Sequence, residues 1–205
     1  MRFNERMTGA DLSRDPRRDA RRNQRELVRA ATAAVHREGL RVPMATIAAD
    51  AGVGVGTLYR HFPNRDDLLG HLTHLSFEQV LANARAARSE GATPIDCLRL
   101  FVEAAISQRN ELVLPLHGGP PVTSPATAAV RDEVHDILRR IIERGLDEET
   151  LCPGITPHDI VVFGAMLAQP RPADSDWDAT CHRLLATYLR GILRDRGASP
   201  SPVRD

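Results

Sequence analysis

Apolar residues recur along this chain at three- and four-residue spacing, with no stretch of alternating polarity, so the pattern predicts helices and no strands. From Arg17 to Glu38 the apolar positions are Leu27, Ala30, Ala31, Ala34 and Val35, and Gly39 follows where a helix C-cap would sit. The outer face of this first helix carries Arg18, Arg21, Arg22, Arg25 and Arg29. Pro43 suits the first turn of a short second helix, Met44 to Ala51, because its missing N–H would be unpaired there anyway. Gly52 ends it. A third short helix is expected from about Val55 to His61, stopped by Pro63. Asn64 with Asp67 three residues later signals the start of a long fourth helix, whose buried stripe is Leu68, Leu69, Leu72, Leu75 and Val80.

The same start signal recurs twice, at Thr93-Pro94-Ile95-Asp96 and Thr156-Pro157-His158-Asp159, each with a hydroxyl cap, proline at the first helical position and an acid at the third. Between them, Leu116 to Pro125 is broken by Gly118-Gly119-Pro120-Pro121 and reads as a loop. Val130, Val134, Ile137, Leu138, Ile141 and Ile142 mark a further helix ending near Gly145. A last one runs from about Ser175 to Arg194, with Leu184, Leu185, Tyr188, Leu189, Ile192 and Leu193 nearly surrounding it, which suggests burial on two sides. There is no internal repeat. The expected fold is all-α: a mobile basic arm over 1–16, a three-helix domain with a helix-turn-helix over 17–63, a helical bundle over 64–196 and a disordered tail over 197–205.

With 205 residues and 42% apolar content, such a chain needs no metal or disulfide to fold. Cys97, Cys152 and Cys181 are far apart and without CxxC spacing, so they read as small buried hydrophobes. The N-terminal arginines precede no apolar segment, and the longest apolar run, Ile160 to Ala168, is too short to span a bilayer. A cytoplasmic protein with no membrane partner is expected. Net charge is zero, but it is unevenly placed. Residues 1–62 carry twelve arginines against seven acids, and residues 63–205 carry fifteen against twenty. Every basic residue is arginine, so every cationic contact would be made by a planar guanidinium. One end of the molecule attracts phosphate and the other repels it.

The stretch Ile47-Ala48-Ala49-Asp50-Ala51-Gly52-Val53-Gly54-Val55-Gly56-Thr57-Leu58-Tyr59-Arg60-His61-Phe62 lies within that basic end. Ala48 is small where two helices would cross, Gly52 suits a left-handed turn, and Val53 and Leu58 would plug the pair together. Such a unit leaves the outer face of its second helix free to enter a major groove. The stretch closely resembles the TetR family of helix-turn-helix regulators, whose DNA-binding domain typically reads IA..AGVS.GTLYRHF. The resemblance covers about Leu27 to Leu69, and the remainder is similar only in being helical and of suitable length.

The resemblance implies that Val55, Gly56 and Thr57 face the groove of double-stranded DNA, that Tyr59 and His61 reach phosphates, and that Arg65 stands where the family has a lysine contacting the backbone. Arg22, Thr46, Gly54 and Arg60 complete the expected DNA-facing set. Leu58 and Phe62 are expected in the core. Three positions depart from the family pattern: Pro43, Gly54 and Val55 replace a hydroxyl, a serine and an often basic residue. The recognition helix is therefore bare, and thymine-methyl contact by Val55, DNA shape and the arginine arm are expected to supply part of the recognition.

The resemblance further implies a homodimer built on the last two helices, reading a palindromic operator. Its expected interface is Ile160, Phe163, Leu167, Leu184, Leu185, Tyr188, Leu189 and Ile192, with intramolecular core as the competing assignment. A pocket for a small, hydrophobic effector that releases DNA is implied in the middle helices. Its candidate lining is Phe101, Ala105, Leu112, Val113, Leu116, Leu138, Ile141, Phe163, Met166 and Trp177, each of which also suits ordinary core. Arg109 and His117 are candidate polar groups at its mouth, or solvent-exposed residues.

No catalytic residue, cofactor site or metal site is signalled: there is no GxSxG elbow, phosphate-binding glycine loop or HExxH. His71 and His74 lie one turn apart with His61 near in sequence, but no acid completes a ligand set at helical spacing. Two rival readings remain, an effector-independent DNA-binding regulator or scaffold and a metalloenzyme using those three histidines.

Overall fold

The computed structural model describes residues 16–169 and 175–194. The arm over 1–15, the tail over 197–205 and the side chain of Arg22 lie outside the described residues. Eight α-helices are described: α1 Pro16–Glu38, α2 Met44–Asp50, α3 Val55–His61, α4 Arg65–Glu90, α5 Pro94–Ser107, α6 Pro125–Asp147, α7 Pro157–Leu167 and α8 Ser175–Ile192. A 3-10 turn, Pro115–His117, interrupts the connection from α5 to α6.

Local chemistry accounts for most boundaries. The Asn64 side chain accepts from the Asp67 amide, and Thr93 from Asp96. At α7 the signal is a full capping box, with Thr156 Oγ1 accepting from the Asp159 amide and the Asp159 carboxylate accepting from the Thr156 amide. Gly39 and Gly52 both take positive φ, +82° and +65°, which lets α1 stop and gives the helix-turn-helix its tight corner. Two expectations shift slightly. Pro43 is the N-cap of α2 and not its first residue, and α2 ends at Asp50, one residue early. The last helix stops at Ile192, before Arg194: Leu193 forms an isolated antiparallel bridge with Leu151, and the Cys152 amide donates to the Ile192 carbonyl.

Two hydrophobic cores result. The smaller gathers Leu27, Ala31 and Val35 from α1, Ile47 and Ala48 from α2, and Leu58 from α3, closed by Leu68, Leu69 and Leu72 of α4. The larger packs Leu81, Ala84 and Ala87 of α4 against α5, α6, α7 and α8. The expected boundary at residue 64 therefore falls at the start of a continuous helix that serves both cores. At 26 residues and about 1.5 Å per residue, α4 is roughly 39 Å long.

A single residue from elsewhere also enters the smaller core. Val113, in the loop after α5, is 1% exposed and packs among the residues of the first three helices. Its amide donates to Ser76 Oγ at 2.8 Å, and that hydroxyl donates to the Leu72 carbonyl at 2.8 Å. Replacing Ser76 by alanine leaves a buried amide without an acceptor. We expect Ser76→Ala to lower the unfolding free energy by about 1–3 kcal/mol, measured by urea titration of the full chain.

Candidate DNA-binding face and effector cavity

The helix-turn-helix is held by its inner residues. Leu58 of α3 is fully buried, Phe62 is 9% exposed, and Ala48 is 2% exposed where α2 meets α3. The Val53 amide donates to the Ala48 carbonyl and locks the turn. Arg37 of α1 bonds Asp50 at the end of α2 at 2.7 Å. Val55 and Tyr59, four residues apart and so neighbours on the surface of α3, are 45% and 48% exposed. Gly54, Gly56, Arg60 and His61 are exposed as well, while Thr46, Thr57 and Arg65 are half-buried. Neither α2 nor α3 has a side-chain cap, Pro43 and Gly54 having no group to offer. Nine of the ten expected DNA-facing residues are thus exposed or half-exposed, and the side chain of the tenth, Arg22, lies outside the described residues.

A cavity of about 620 Å³ lies in the larger domain. Its walls come from five segments. Phe77 and Val80 belong to α4, Phe101 and Ala105 to α5, and Val134 to α6, while Val161, Gly164, Ala165 and Ala168 lie along α7 and its end. The loop contributes Leu112, Leu114, Pro115, Leu116, His117, Pro121 and Val122. Four polar residues complete the lining: Arg131, Asp132 and His135 on α6 and His158 on α7. The volume sits in the range of about 300–1,000 Å³ usual for small-molecule sites, and the lining is mainly apolar. A crevice of about 590 Å³ between α1 and α4 is lined by Val28, Ala33, His71 and Leu75, with Gln24, Arg25, Arg29, Asn110 and Glu111 among the polar residues around it, so it is mainly apolar with charged groups alongside.

Of the candidate lining residues, the structure brings Phe101, Ala105, Leu112, Leu116 and His117 to this cavity. The others go elsewhere. Leu138 and Ile141 point into the packed core, 0% and 3% exposed. Val113 points into the smaller core. Phe163 stacks face to face on Tyr188 at 3.9 Å between ring centres. Met166 is 65% exposed. Arg109 pairs with Asp178 of α8, and Trp177 packs against the core from α8. Sequence reasoning missed Phe77, Val80, Arg131, His135 and His158. The i, i+4 spacing of Arg131 and His135 places both on one face of α6, which was the one available signal.

The interface expectation is also corrected. Ile160, Leu167, Leu185, Leu189 and Ile192 are at most 8% exposed within a single chain, because α7 packs on α5 and α6 and α8 packs on α5. Left on the outer side of α7 and α8 are Met166, Leu184 at 45% exposure, and the partly buried Phe163 and Tyr188. Of the histidines considered as possible ligands, His61 and His71 both lie against the Phe62 ring, and His74 bonds Thr127 at 3.0 Å. Cys97 and Cys181 are buried as expected, while Cys152 is only half-buried. No helix among the described residues is long and apolar enough to cross a membrane.

A family profile described as Bacterial regulatory proteins, tetR family, matches residues 27–72, the span that builds the smaller core and the outward α3. Residues 27–72 thus match the TetR family's regulatory domain. It is 31% identical over 135 residues to the HTH-type transcriptional repressor KstR of Mycolicibacterium smegmatis, a match covering 63% of this chain and 66% of that one. The aligned stretch thus spans just under two thirds of the relative's length. Among solved structures it is similar to the ketosteroid transcriptional regulator KstR2 of Mycobacterium tuberculosis, with TM-score 0.66, 20% identity, and 85% and 96% of the two chains covered. A similar fold occurs in FadR of Bacillus subtilis in complex with stearoyl-CoA, with TM-score 0.59, 19% identity, and 82% and 96% coverage.

The loop 112–119 joins the cavity to the smaller domain. Leu114 is extended, at φ −120° and ψ 149°, and neighbouring residues of an extended segment point to opposite sides. Leu112 and Leu114 accordingly line the cavity while Val113 fills the smaller core. Gly118 takes φ +79°, and a Cβ on Gly119 would meet the Leu114 carbonyl oxygen at 2.7 Å, so both glycines are needed to fold the loop back. Beyond it, His117 reaches a crevice shared with Val35, His36 and Leu40 around the end of α1.

Burial pushes the imidazoles of His36, His71, His117 and His135 below their ordinary value of 6.5. For His117 the neighbouring His36 adds to the effect, and for His135 Arg131 and His158 do. As pH falls below about 6.5 the unfolded chain takes up protons that the folded chain refuses, so stability falls with acidification. We expect the thermal midpoint to drop between neutral pH and about pH 5, before carboxylates titrate, and to drop less in a His36→Gln/His117→Gln double variant. An equal drop in both proteins would assign the effect to other groups.

Proposed function

We propose that this chain is a DNA-binding transcriptional repressor that acts as a homodimer on a palindromic operator and is released by a small, largely apolar effector. The observation that carries the first part is the outward face of α3, with Val55, Gly56, Thr57 and Tyr59 set on a buried Leu58. Thr57, Tyr59 and His61 have hydrogen-bonding groups suited to phosphate oxygens, and Arg65 has a guanidinium. Gly54 and Val55 bring no polar group to base edges, so specificity in this reading leans on methyl contact and DNA shape.

Dimerisation is supported by the outer side of α7 and α8, where Phe163, Met166, Leu184 and Tyr188 form an apolar surface that one chain leaves uncovered. Two-fold pairing there would set two α3 helices at a fixed separation, and the operator would share that symmetry. Effector release is supported by the cavity of about 620 Å³, which favours a ligand-responsive regulator over one whose middle domain is filled by side chains. The relatives named as a ketosteroid regulator and as FadR bound to stearoyl-CoA point the same way, toward a ligand with a large apolar body. A ligand acts only through its different affinity for the two states of the dimer.

Footprinting of purified protein on the DNA flanking its own gene is expected to give a protected palindrome, and its absence would sink the reading. Arg65→Ala is expected to weaken binding to all sequences alike and to lower the salt slope by roughly one unit. Val55→Ala is expected instead to change sequence preference. Both are measured by fluorescence anisotropy over a salt series with operator and scrambled duplexes.

A further inference from the structure

The polar groups of the cavity fall at two places. One is His117, whose two ring nitrogens are both buried and make no hydrogen bond within the chain. The Ala165 carbonyl on α7 lies beside it and slightly favours its protonation. The other place is formed by Arg131 and His135, one turn apart on α6, with His158 in the first turn of α7 close enough to His135 to repel its proton. His158 and Ala165 are seven residues apart on one helix, which separates the two places by about 10 Å at 1.5 Å per residue. Between them the wall is Phe77, Phe101, Val134 and Val161.

Each place asks for a different group. A neutral imidazole offers one donor and one acceptor, and the surroundings of His117 within the cavity are apolar, so a ligand hydroxyl or carbonyl is the natural complement. The Ala165 carbonyl can accept from only one of the two ring nitrogens, so a purely hydrocarbon end would leave the other buried without a partner. At the other place three of the four polar residues can be cationic. Asp132 holds Arg131 at 2.8 Å and takes up part of its charge, yet both side chains remain about half exposed and free to rearrange. Arg139 adds to the positive field around His135. A ligand cation is disfavoured there, and a carboxylate would relieve the repulsion among Arg131, His135 and His158.

We propose that the cavity takes a linear amphiphile with a carboxylate beside Arg131, His135 and His158 and a hydroxyl or carbonyl oxygen beside His117. His117 is then the specificity-determining contact. This rests on the effector-responsive reading above and names the chemical class of its ligand.

Calorimetric titration of the full chain, without DNA, tests it with three probes: octanoate, its ω-hydroxy derivative and octanol. The ω-hydroxy acid is expected to bind several-fold more tightly than either of the others. His117→Leu should abolish the preference for the hydroxylated acid while leaving octanoate binding nearly unchanged. Arg131→Gln should weaken both acids alike and leave octanol unaffected. In the unaltered protein, NMR titration should show the His135 pKa rising when either acid binds and not with octanol, a readout that does not depend on the variants folding. Equal binding of the three probes, no binding of any, an unmoved His135, or a preference that survives His117→Leu would each overturn the assignment. With DNA left out, a failed footprint would leave this result standing, and a failed titration beside an intact footprint would overturn only the ligand class.

Discussion

The insertion of Val113 into the core of the DNA-binding unit is the contact on which the rest of this structure depends. Three helices of 23, 7 and 7 residues cannot enclose much apolar surface by themselves. The first turns of α4 supply Leu68, Leu69 and Leu72, and the loop after α5 supplies Val113. The unit that presents α3 is therefore completed by parts of the domain that holds the cavity. Ser76 secures this arrangement from α4, because its one hydroxyl bonds both the Leu72 carbonyl and the Val113 amide. A DNA-binding unit finished in this way cannot drift freely relative to its neighbour, and a shift in the loop is felt inside it.

The bareness of the recognition helix gains meaning from the same economy of size. Leu58 faces inward and fixes the orientation of α3, and Val55, Gly56 and Tyr59 are left exposed around it. Of the two neighbouring glycines only Gly56 lies inside the seven-residue helix and lowers its intrinsic stability, because Gly54 lies at the N-cap where glycine is tolerated. Gly56 remains as an unshielded stretch of backbone on the outer face. Close approach to a groove wall is what such a position permits, in keeping with recognition by shape more than by base-edge hydrogen bonds.

Much of this was legible in the sequence, and the parts that were not share a cause. Caps are local chemistry: Thr156 and Asp159 announce the start of α7 because the groups that satisfy its first amides are only three residues apart. Turns were legible for the same reason, since Gly39 and Gly52 fall where left-handed backbone is required. Apolar periodicity, by contrast, shows that a residue is buried and not what buries it. Leu185, Leu189 and Ile192 carry the same signal whether they meet α5 or a second chain, and within one chain α5 and the core around it already cover them. The cavity was least legible, because a wall is defined by what fails to fill a space. Leu138 and Phe101 look alike in sequence, yet one lies in packed core and the other beside the cavity. Arg131, His135 and His158 read as solvated residues until α6 and α7 are brought together.

The way the loop crosses between the two domains sets how a ligand could be felt at α3. In an extended segment adjacent side chains cannot move independently, because the backbone that carries one carries the next. Leu112 and Leu114 line the cavity and Val113 sits in the other core, so a ligand that displaces the first two must either move Val113 or strain the peptide units between them. Protein cores are close-packed and accept such a displacement by changing the arrangement of whole elements more readily than by yielding locally. Val113 lies beside the end of α1 and bonds the first half of α4, the two helices that flank the helix-turn-helix in the chain. Coupling through this loop therefore needs no long chain of intermediates: cavity wall and DNA-binding core are successive residues of one strand of backbone.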